Sequence, residues 1–407
     1  MNNMPKVNIV SREFKANPYP FYARLRAEAP VYRTVLPDKQ TAWLITRYDD
    51  VFMVLKDELR FTKDRQAAMS AQQLAKTPWV PPIFKPLLRT ILDTDGAEHA
   101  RLRGLIHKAF TPRLIEQMRE RVQSLSNELL ATATQRGKMD LIGEYALPIP
   151  LTIIAEILGV SENDRQKFHR WTKSFIELTA SNNALLWSLP NLVAMMGYLK
   201  RIFKERRADP REDLITALVQ VEEAGDHLTE DELLAMVFVL LIAGHETTVN
   251  LIGSGALALL EHPDQMRLLR QKPELIKNAI EELLRYVSPV EQATERYARE
   301  DVTLHEITIP KGEMVLAVIA SANRDEGQFA DPDRLDLTRE NVKHLAFGQG
   351  VHYCVGAPLA RLEGQIALQT LVQHMPTLRL ATAPQTLRWR PGLTVRGLEA
   401  LPVAISG

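Results

Sequence analysis

The sequence predicts a mainly α-helical fold with a small β portion. Apolar residues recur at helical spacing through most of the stretch from about 96 to 286. Strand-like runs are short and fall in three places, 31–46, 300–320 and 378–405. No internal repeat, low-complexity tract or clear linker divides the 407 residues, so one domain over 1–407 is expected.

The elements follow in order. Pro18 to Ala29 has helical spacing, with Phe21, Tyr22 and Leu25 on one side. Val31–Val35 and Ala42–Thr46 are β-leaning runs parted by Pro37-Asp38-Lys39, which predicts a hairpin. Asp49 to Lys56 reads as a short helix. Residues 62 to 90 carry Pro78, Pro81, Pro82 and Pro86 without a steady period and read as a long loop, a frequent home of function. Helical patterns cover 96–134, 150–206, 211–223, 229–261 and 264–286. Glu300 to Ala320 turns to strand character around Pro310-Lys311-Gly312. Pro358 to His374 is helical again, and Leu378 to Ile405 reads as short strands.

Composition excludes several classes. Hydrophobic residues are 45% and charged residues 25%, so a packed core is expected rather than disorder. Fifty basic and fifty acidic side chains cancel, which gives no surplus for coating nucleic acid. The single cysteine rules out an intrachain disulfide and any multi-cysteine metal site. The N-terminus has no apolar core of signal-peptide length. The most hydrophobic stretch, Leu233–Ala243, falls short of the roughly 20 residues a membrane span needs. A cytoplasmic protein without a membrane anchor is expected.

The most informative segment is Phe347-Gly-Gln-Gly350-Val-His352-Tyr-Cys354-Val-Gly356-Ala-Pro358. Pro358 suits a first helical turn, so Cys354 stands just before a helix N-terminus, where partial positive charge favours thiolate. Gly350 and Gly356 let the backbone fold tightly and let a flat cofactor approach. From these residues alone, a buried structural cysteine is the default reading and a reactive thiol nucleophile the second, and the glycines exclude neither.

Phe347, Gly350, Cys354 and Gly356, followed by Ala360 and Arg361, resemble the haem-binding loop of the cytochrome P-450 family in its soluble bacterial form. The resemblance extends from about Asn17 to the end. It implies a single domain with haem held between a long central helix and the helix after the cysteine loop. The cofactor would be haem b, with the Cys354 thiolate as axial ligand and metal ligand.

The long helix is expected at 229–261, with Thr229 and Glu232 as a capping box. Its middle holds Ala243-Gly244-His245-Glu246-Thr247-Thr248, poor choices for a buried helix centre. Threonine hydroxyls can bond back to the i−4 carbonyl and bend the helix, so a break opening a groove is expected. A solvated turn on the outer face is the other reading. The resemblance implies that Ala243 and Gly244 lie over the haem, that Thr247 holds dioxygen and a water, and that Glu246 relays protons.

Further pairs gain meaning from the same resemblance. Glu282 and Arg285 share a helix face, and the pattern recurs at Glu98–Arg101, Glu116–Arg119 and Glu162–Arg165. Only the Glu282 copy stands at the family's distance before the cysteine, which implies a buried ion-pair network with Arg334. His99, Arg103, Arg296 and His352 resemble the partners of the haem propionates. Substrate contacts are expected from Trp79, Ile83, Phe84 and Leu88, from Trp171, Phe175 and Leu178, and from Val239, Ala243, Val290 and Val395. Arg101, His107, Lys108 and Arg113 form a basic face, either merely solvated or a docking patch for an acidic electron donor.

The chain departs from the family at the hairpin His305-Glu306, where paired glycines are frequent, at Glu326, and at Asp333 and Leu335. None touches the oxygen-handling residues. The expected reaction is insertion of one oxygen atom from O2 into a hydrophobic small molecule, by C–H hydroxylation. Thiolate electron donation favours O–O cleavage. Electrons are expected from a ferredoxin or flavodoxin with its reductase, and the protein is expected to be a monomer that binds neither nucleic acid nor membrane. A peroxide-driven haem-thiolate enzyme, a non-catalytic haem-thiolate sensor and a haem-free thiol enzyme are the rivals.

Overall fold

The long helix is the axis of the molecule. It runs unbroken over Glu230–Glu261, and Thr229 caps it with the reciprocal Thr229–Glu232 capping box that the sequence predicts. Its apolar residues are buried on nearly every side, from Leu233 through Phe238 and again from Thr248 through Leu259. The helices Pro148–Ile157, Ile276–Val287 and Ala357–His374 pack directly on it. The structure is a computed structural model that describes residues 7–74, 84, 86–87, 89–180, 185–223 and 226–405.

Helices supply 57% of the fold and strands 11%, as the periodicity indicates. The predicted helical stretches are cut where backbone chemistry demands it. The 96–134 pattern is three helices, Gly96–Ala109, Pro112–Gln117 and Arg119–Arg136, with Thr111 capping the second and Pro112 opening it. The 150–206 pattern is also three, Pro148–Ile157, Glu162–Ala180 and Leu185–Ala208. Gly159 separates the first two at φ +76°, and an added Cβ there would run into Asp213. The stretch read as one long loop from 62 opens on a strand and two single-turn helices, Arg65–Ala68 and Ala71–Leu74. The Asp64 carboxylate caps the first of these through the Gln66 amide.

Among the described residues, twelve short strands complete the fold: β1 Val31–Val35, β2 Thr41–Ile45, β3 Phe61–Thr62, β4 Lys138–Asp140, β5 Glu222–Glu223, β6 Asp226–His227, β7 Arg296–Ala298, β8 Val302–Leu304, β9 Ile307–Ile309, β10 Met314–Ala317, β11 Leu378–Leu380 and β12 Pro402–Ile405. The main sheet has the order β1-β2-β10-β7-β3, with β10 parallel to β2 in the register Val315↔Trp43. The β8–β9 hairpin turns on His305 and Glu306, both left-handed at φ 47° and 64°. That is the two-residue turn that glycines usually supply. Here His305 Nε2 is fixed 2.7 Å from Asp50 Oδ2.

Among the described residues one helix, Glu230–Glu261, is long and apolar enough to cross a bilayer. It exceeds the span read from Leu233–Ala243, and most of its apolar stretch is covered by protein.

Candidate active site and its supporting network

The cysteine loop is shaped by two left-handed glycines, Gly348 and Gly350, at φ 71° and 74°. A Cβ on Gly350 would stand 3.0 Å from the Leu55 carbonyl oxygen, so the loop can approach the Tyr48–Lys56 helix only with glycine there. The Cys354 amide donates to the Phe347 carbonyl at 2.9 Å, and the following helix begins at Ala357 with Pro358 in its first turn. Burial pushes the Cys354 thiol up. The amides of Gly356 and Ala357, and the cations Arg103 and Arg361, pull it back down. The sulfur-bearing residue is nonetheless accessible.

Phe347 is boxed by polar neighbours. The Arg361 guanidinium stands 4.5 Å from its ring centre, and the rings of His344 and Tyr353 lie 5.8 and 6.3 Å away. Arg361 grips both oxygens of Glu281 at 2.7 and 2.8 Å. Burial opposes ionisation of Glu281, but hydrogen bonds from Arg361 and His344 outweigh it and hold the carboxyl down at about 2.

At the centre of the long helix, Thr247 Oγ1 donates to the Ala243 carbonyl at 2.8 Å and Thr248 Oγ1 to the Gly244 carbonyl at 3.3 Å. These are the predicted back-bonds, yet the helix stays continuous, so the expected break is absent. Each hydroxyl shares a carbonyl that keeps its place in the helical ladder. Ala243 is exposed although buried residues precede and follow it. Glu246 is raised above the usual carboxylate range by burial, and Arg390, 3.7 Å away, opposes the shift. Glu363 is fully buried on the helix after the cysteine loop. Burial pushes it up to about 8 against a hydrogen bond with Thr248.

A second cluster gathers two imidazoles and three cationic side chains. His99 and His352 lie with ring centres 4.1 Å apart, and His352 Nε2 meets Asp95 Oδ1 at 3.2 Å. Arg296 is buried, and desolvation pulls it down to about 10. Lys63 is buried beside it, donates to the carbonyls of Thr294 and Glu295 at 3.0 Å each, and is pulled to about 7 by burial and then by Arg296. Arg103 donates to His107 at 3.1 Å. Arg101 of the basic face is engaged by Glu232, so that face is smaller than the sequence suggests. His107, Lys108 and Arg113 are exposed.

Of the four E-x-x-R copies, only Glu282–Arg285 is buried, with both side chains inaccessible and contacts of 2.7 and 2.8 Å. The assignment of Arg334 to this network is corrected. Arg334 is exposed and offers only its carbonyl oxygen, to Arg285 Nη2 at 3.1 Å. The second cation is Arg339, whose Nε reaches Glu282 at 3.2 Å. It succeeds because the turn at Asp336 folds its side chain inward, while Arg334 points to water.

Of the expected substrate contacts, Phe84 is buried, Trp171 is half-buried with its ring 5.3 Å from Tyr198, and Val239 is half-buried. Val290 and Val395 are brought together as an antiparallel bridge. Trp79, Ile83 and Leu88, and the side chains of Phe175 and Leu178, lie outside the described residues.

Sequence reasoning missed Lys63, Asp95, Glu363 and Arg390. Only Glu363 had a local signal: it interrupts the buried stripe Leu359, Leu362, Ile366, Ala367 at a position where an apolar residue belongs.

Comparison with known proteins gives the same picture. The family profile described as Cytochrome P450 matches residues 4–385. Cytochrome P450 107B1 of Saccharopolyspora erythraea is 46% identical over 384 residues, which cover 94% of this chain and 93% of that protein. Cytochrome P450 monooxygenase PikC of Streptomyces venezuelae is 43% identical, over 97% of this chain and 92% of that one. Among solved structures, the Bacillus subtilis 168 bacillaene polyketide synthase cytochrome P450 PksS superposes with a TM-score of 0.91 at 40% identity, covering 98% of this chain and 100% of that one. The chain therefore belongs to the cytochrome P450 family, the haem-thiolate monooxygenases that oxidise hydrophobic small molecules.

Proposed function

We propose that Cys354, as thiolate, would hold the iron of a haem b, and that Glu246 and Thr247 would handle protons and dioxygen in the same site. The observation that carries this reading is the accessible Cys354, held by two backbone amides at a helix start while protein surrounds it. The residues fit the group. Gly350 and Gly356 flank Cys354, and the small residues Ala243 and Gly244 stand at mid-helix, which suits close approach of a flat macrocycle. Two buried cations, Arg296 and Lys63, and the ring nitrogens of His99 and His352 supply donors of the kind two propionates require.

When bound, haem supplies oxygen activation and C–H oxidation. The protein's own residues do the rest. Gly356 and Ala357 amides restrain the charge on sulfur. Phe347, Gly350 and Gly356 shape the cysteine side, and Ala243 with Gly244 leaves room on the other. His99, Arg103, Arg296 and His352 hold the propionates, with Lys63 as an added partner. Thr247, whose hydroxyl donates to the Ala243 carbonyl, would keep its oxygen free to accept a hydrogen bond in the site, and Glu246, raised by burial, would pass protons inward from solvent. Phe84, Trp171, Val239, Val290 and Val395 line the substrate side, and an apolar lining selects by shape. Polyketides are the first class to screen, because the names of PksS and its structure point to that chemistry.

Residues 1–407 act as one domain in this reading. Electrons come from a separate ferredoxin or flavodoxin with its reductase, received near Lys108 and Arg113. The protein works as a cytoplasmic monomer. The Glu246–Thr247 pair favours dioxygen and reductant over the peroxide-driven and sensor alternatives, neither of which needs a proton relay. The deciding experiment is the spectrum of the reduced, carbon-monoxide-bound protein. Wild type should carry the thiolate signature and Cys354→Ser should lose it together with turnover. A Cys354→Ser variant with an unchanged spectrum and rate would overturn the assignment.

A further inference from the structure

This inference rests on the haem-thiolate reading above and concerns residues outside its oxygen-handling set. The loop that presents Cys354 is braced by the charged side chain of Arg361. Arg361 covers the Phe347 ring at 4.5 Å, and its Nη1 donates to the Tyr353 hydroxyl at 3.3 Å. Phe347 accepts the Cys354 amide and Tyr353 directly precedes the cysteine, so Arg361 holds both ends of the loop. Its remaining nitrogens form a fork onto Glu281, a residue of the Ile276–Val287 helix. Behind Glu281 stands His344. Its Nδ1 accepts the Ala346 amide at 3.1 Å, so in the neutral ring Nε2 carries the proton and donates to Glu281 at 3.1 Å.

The charges are laid out in sequence. The guanidinium is a fixed positive charge packed against Phe347 and Tyr353, the residue that accepts the Cys354 amide and the residue that precedes the sulfur. Glu281 is ionised and cancels much of that field. A fork geometry this close fixes where the positive charge sits.

We propose that Glu281 and Arg361 are a charge-compensated positioning pair that sets electron donation from Cys354. Arg361 draws on the sulfur and Glu281 limits the draw. Adding an electron makes the site more negative, so a nearby uncompensated cation favours reduction and its loss disfavours it.

The test is the ferric–ferrous midpoint potential of the full-length haem protein in three variants. Arg361→Gln should lower it, Glu281→Gln should raise it, and the double variant should return close to wild type. Each single shift should be of the order of tenfold in the reduction equilibrium, about 59 mV for one electron. A purely structural brace predicts something else: both single variants loosen the same contact and move the potential in the same direction. Same-direction shifts, or none, overturn the proposal. If Arg361→Gln takes up no haem, Arg361→Lys replaces it. Lysine keeps the charge, so its potential should stay near wild type while that of Glu281→Gln rises, and a Lys variant that shifts as far as Glu281→Gln overturns the proposal. The thiolate signature of the carbon monoxide complex separates the two readings. Its absence from wild type overturns the haem-thiolate assignment and this proposal with it, whereas its presence with same-direction shifts overturns this proposal alone.

Discussion

Arg390 places a guanidinium nitrogen 3.7 Å from the Glu246 carboxylate, reaching the middle of the long helix from the C-terminal part of the chain. Burial raises the acid and Arg390 counters it. Replacing Arg390 by Gln therefore removes a force favouring the carboxylate, and the Glu246 pKa rises further. The limb of the activity profile governed by this acid should move to higher pH. Glu246→Gln should slow turnover about 10²–10⁴-fold with folding intact. A pH–rate profile that Arg390→Gln leaves unchanged would remove Glu246 from the proton path.

The Glu282–Arg285–Arg339 cluster predicts a graded stability pattern. Arg285→Ala leaves Glu282 buried and unpaired and should cost about 3–5 kcal/mol. Arg339→Ala should cost less, because Arg339 is partly accessible and Arg285 remains to pair with Glu282. Arg334→Ala should fall within about 0.5 kcal/mol of wild type, since only its carbonyl is used. Urea unfolding midpoints check all three, and equal losses at Arg334 and Arg339 would contradict the geometry.

Glu363 gives a pH-dependent prediction. Its folded pKa of about 8 lies above its ordinary 4.5, so the native state holds the proton more tightly than the unfolded chain. Below about 4.5 both states are protonated and there is no penalty. Between 4.5 and 8 the native state loses stability as pH rises, and above 8 the loss levels off. Glu363→Gln carries no such penalty. Its melting temperature should match wild type near pH 4.5 and gain steadily to pH 8. A constant offset across that range would count against the buried acid.

The cationic cluster predicts a ligand effect. Arg296→Leu removes a buried partner of a haem propionate and should weaken haem retention by about 2 kcal/mol or more. Lys63→Met should act in the same direction, and Arg103→Leu more weakly because Arg103 is partly accessible. Transfer of haem to an excess of apomyoglobin measures this directly, and equal retention in wild type and Arg296→Leu would move the propionates elsewhere.

The parts of the site legible in the sequence are those that local chemistry writes into neighbouring positions. Thr229 and Glu232 announce the long helix because a capping box is a four-residue pattern. Gly350, Cys354 and Pro358 announce the loop because tight turns and helix starts need particular residues. What escaped depends on partners far apart in the chain. Arg390 meets Glu246 across 144 residues, and Lys63 finds Thr294 across 231. Arg339 replaced Arg334 because side-chain direction in an irregular stretch follows from the turn at Asp336, which spacing alone does not reveal. The continuous helix through Thr247 and Thr248 was missed for a related reason. The back-bonds were foreseen, but surrounding packing kept the helix intact.

The parallel pairing of β10 with β2 has a consequence for synthesis. Strand β2 ends at Ile45, and its partner is not complete until Ala317. At about 5–20 residues per second, the interval on the ribosome is roughly 15–55 s. Through that time the edge formed by Trp43, Leu44 and Ile45 has no neighbour on one side, an open template for pairing with other nascent chains. The yield of this protein should therefore depend on translation speed and chaperone supply more than its finished stability suggests, and slowing elongation should favour inclusion bodies.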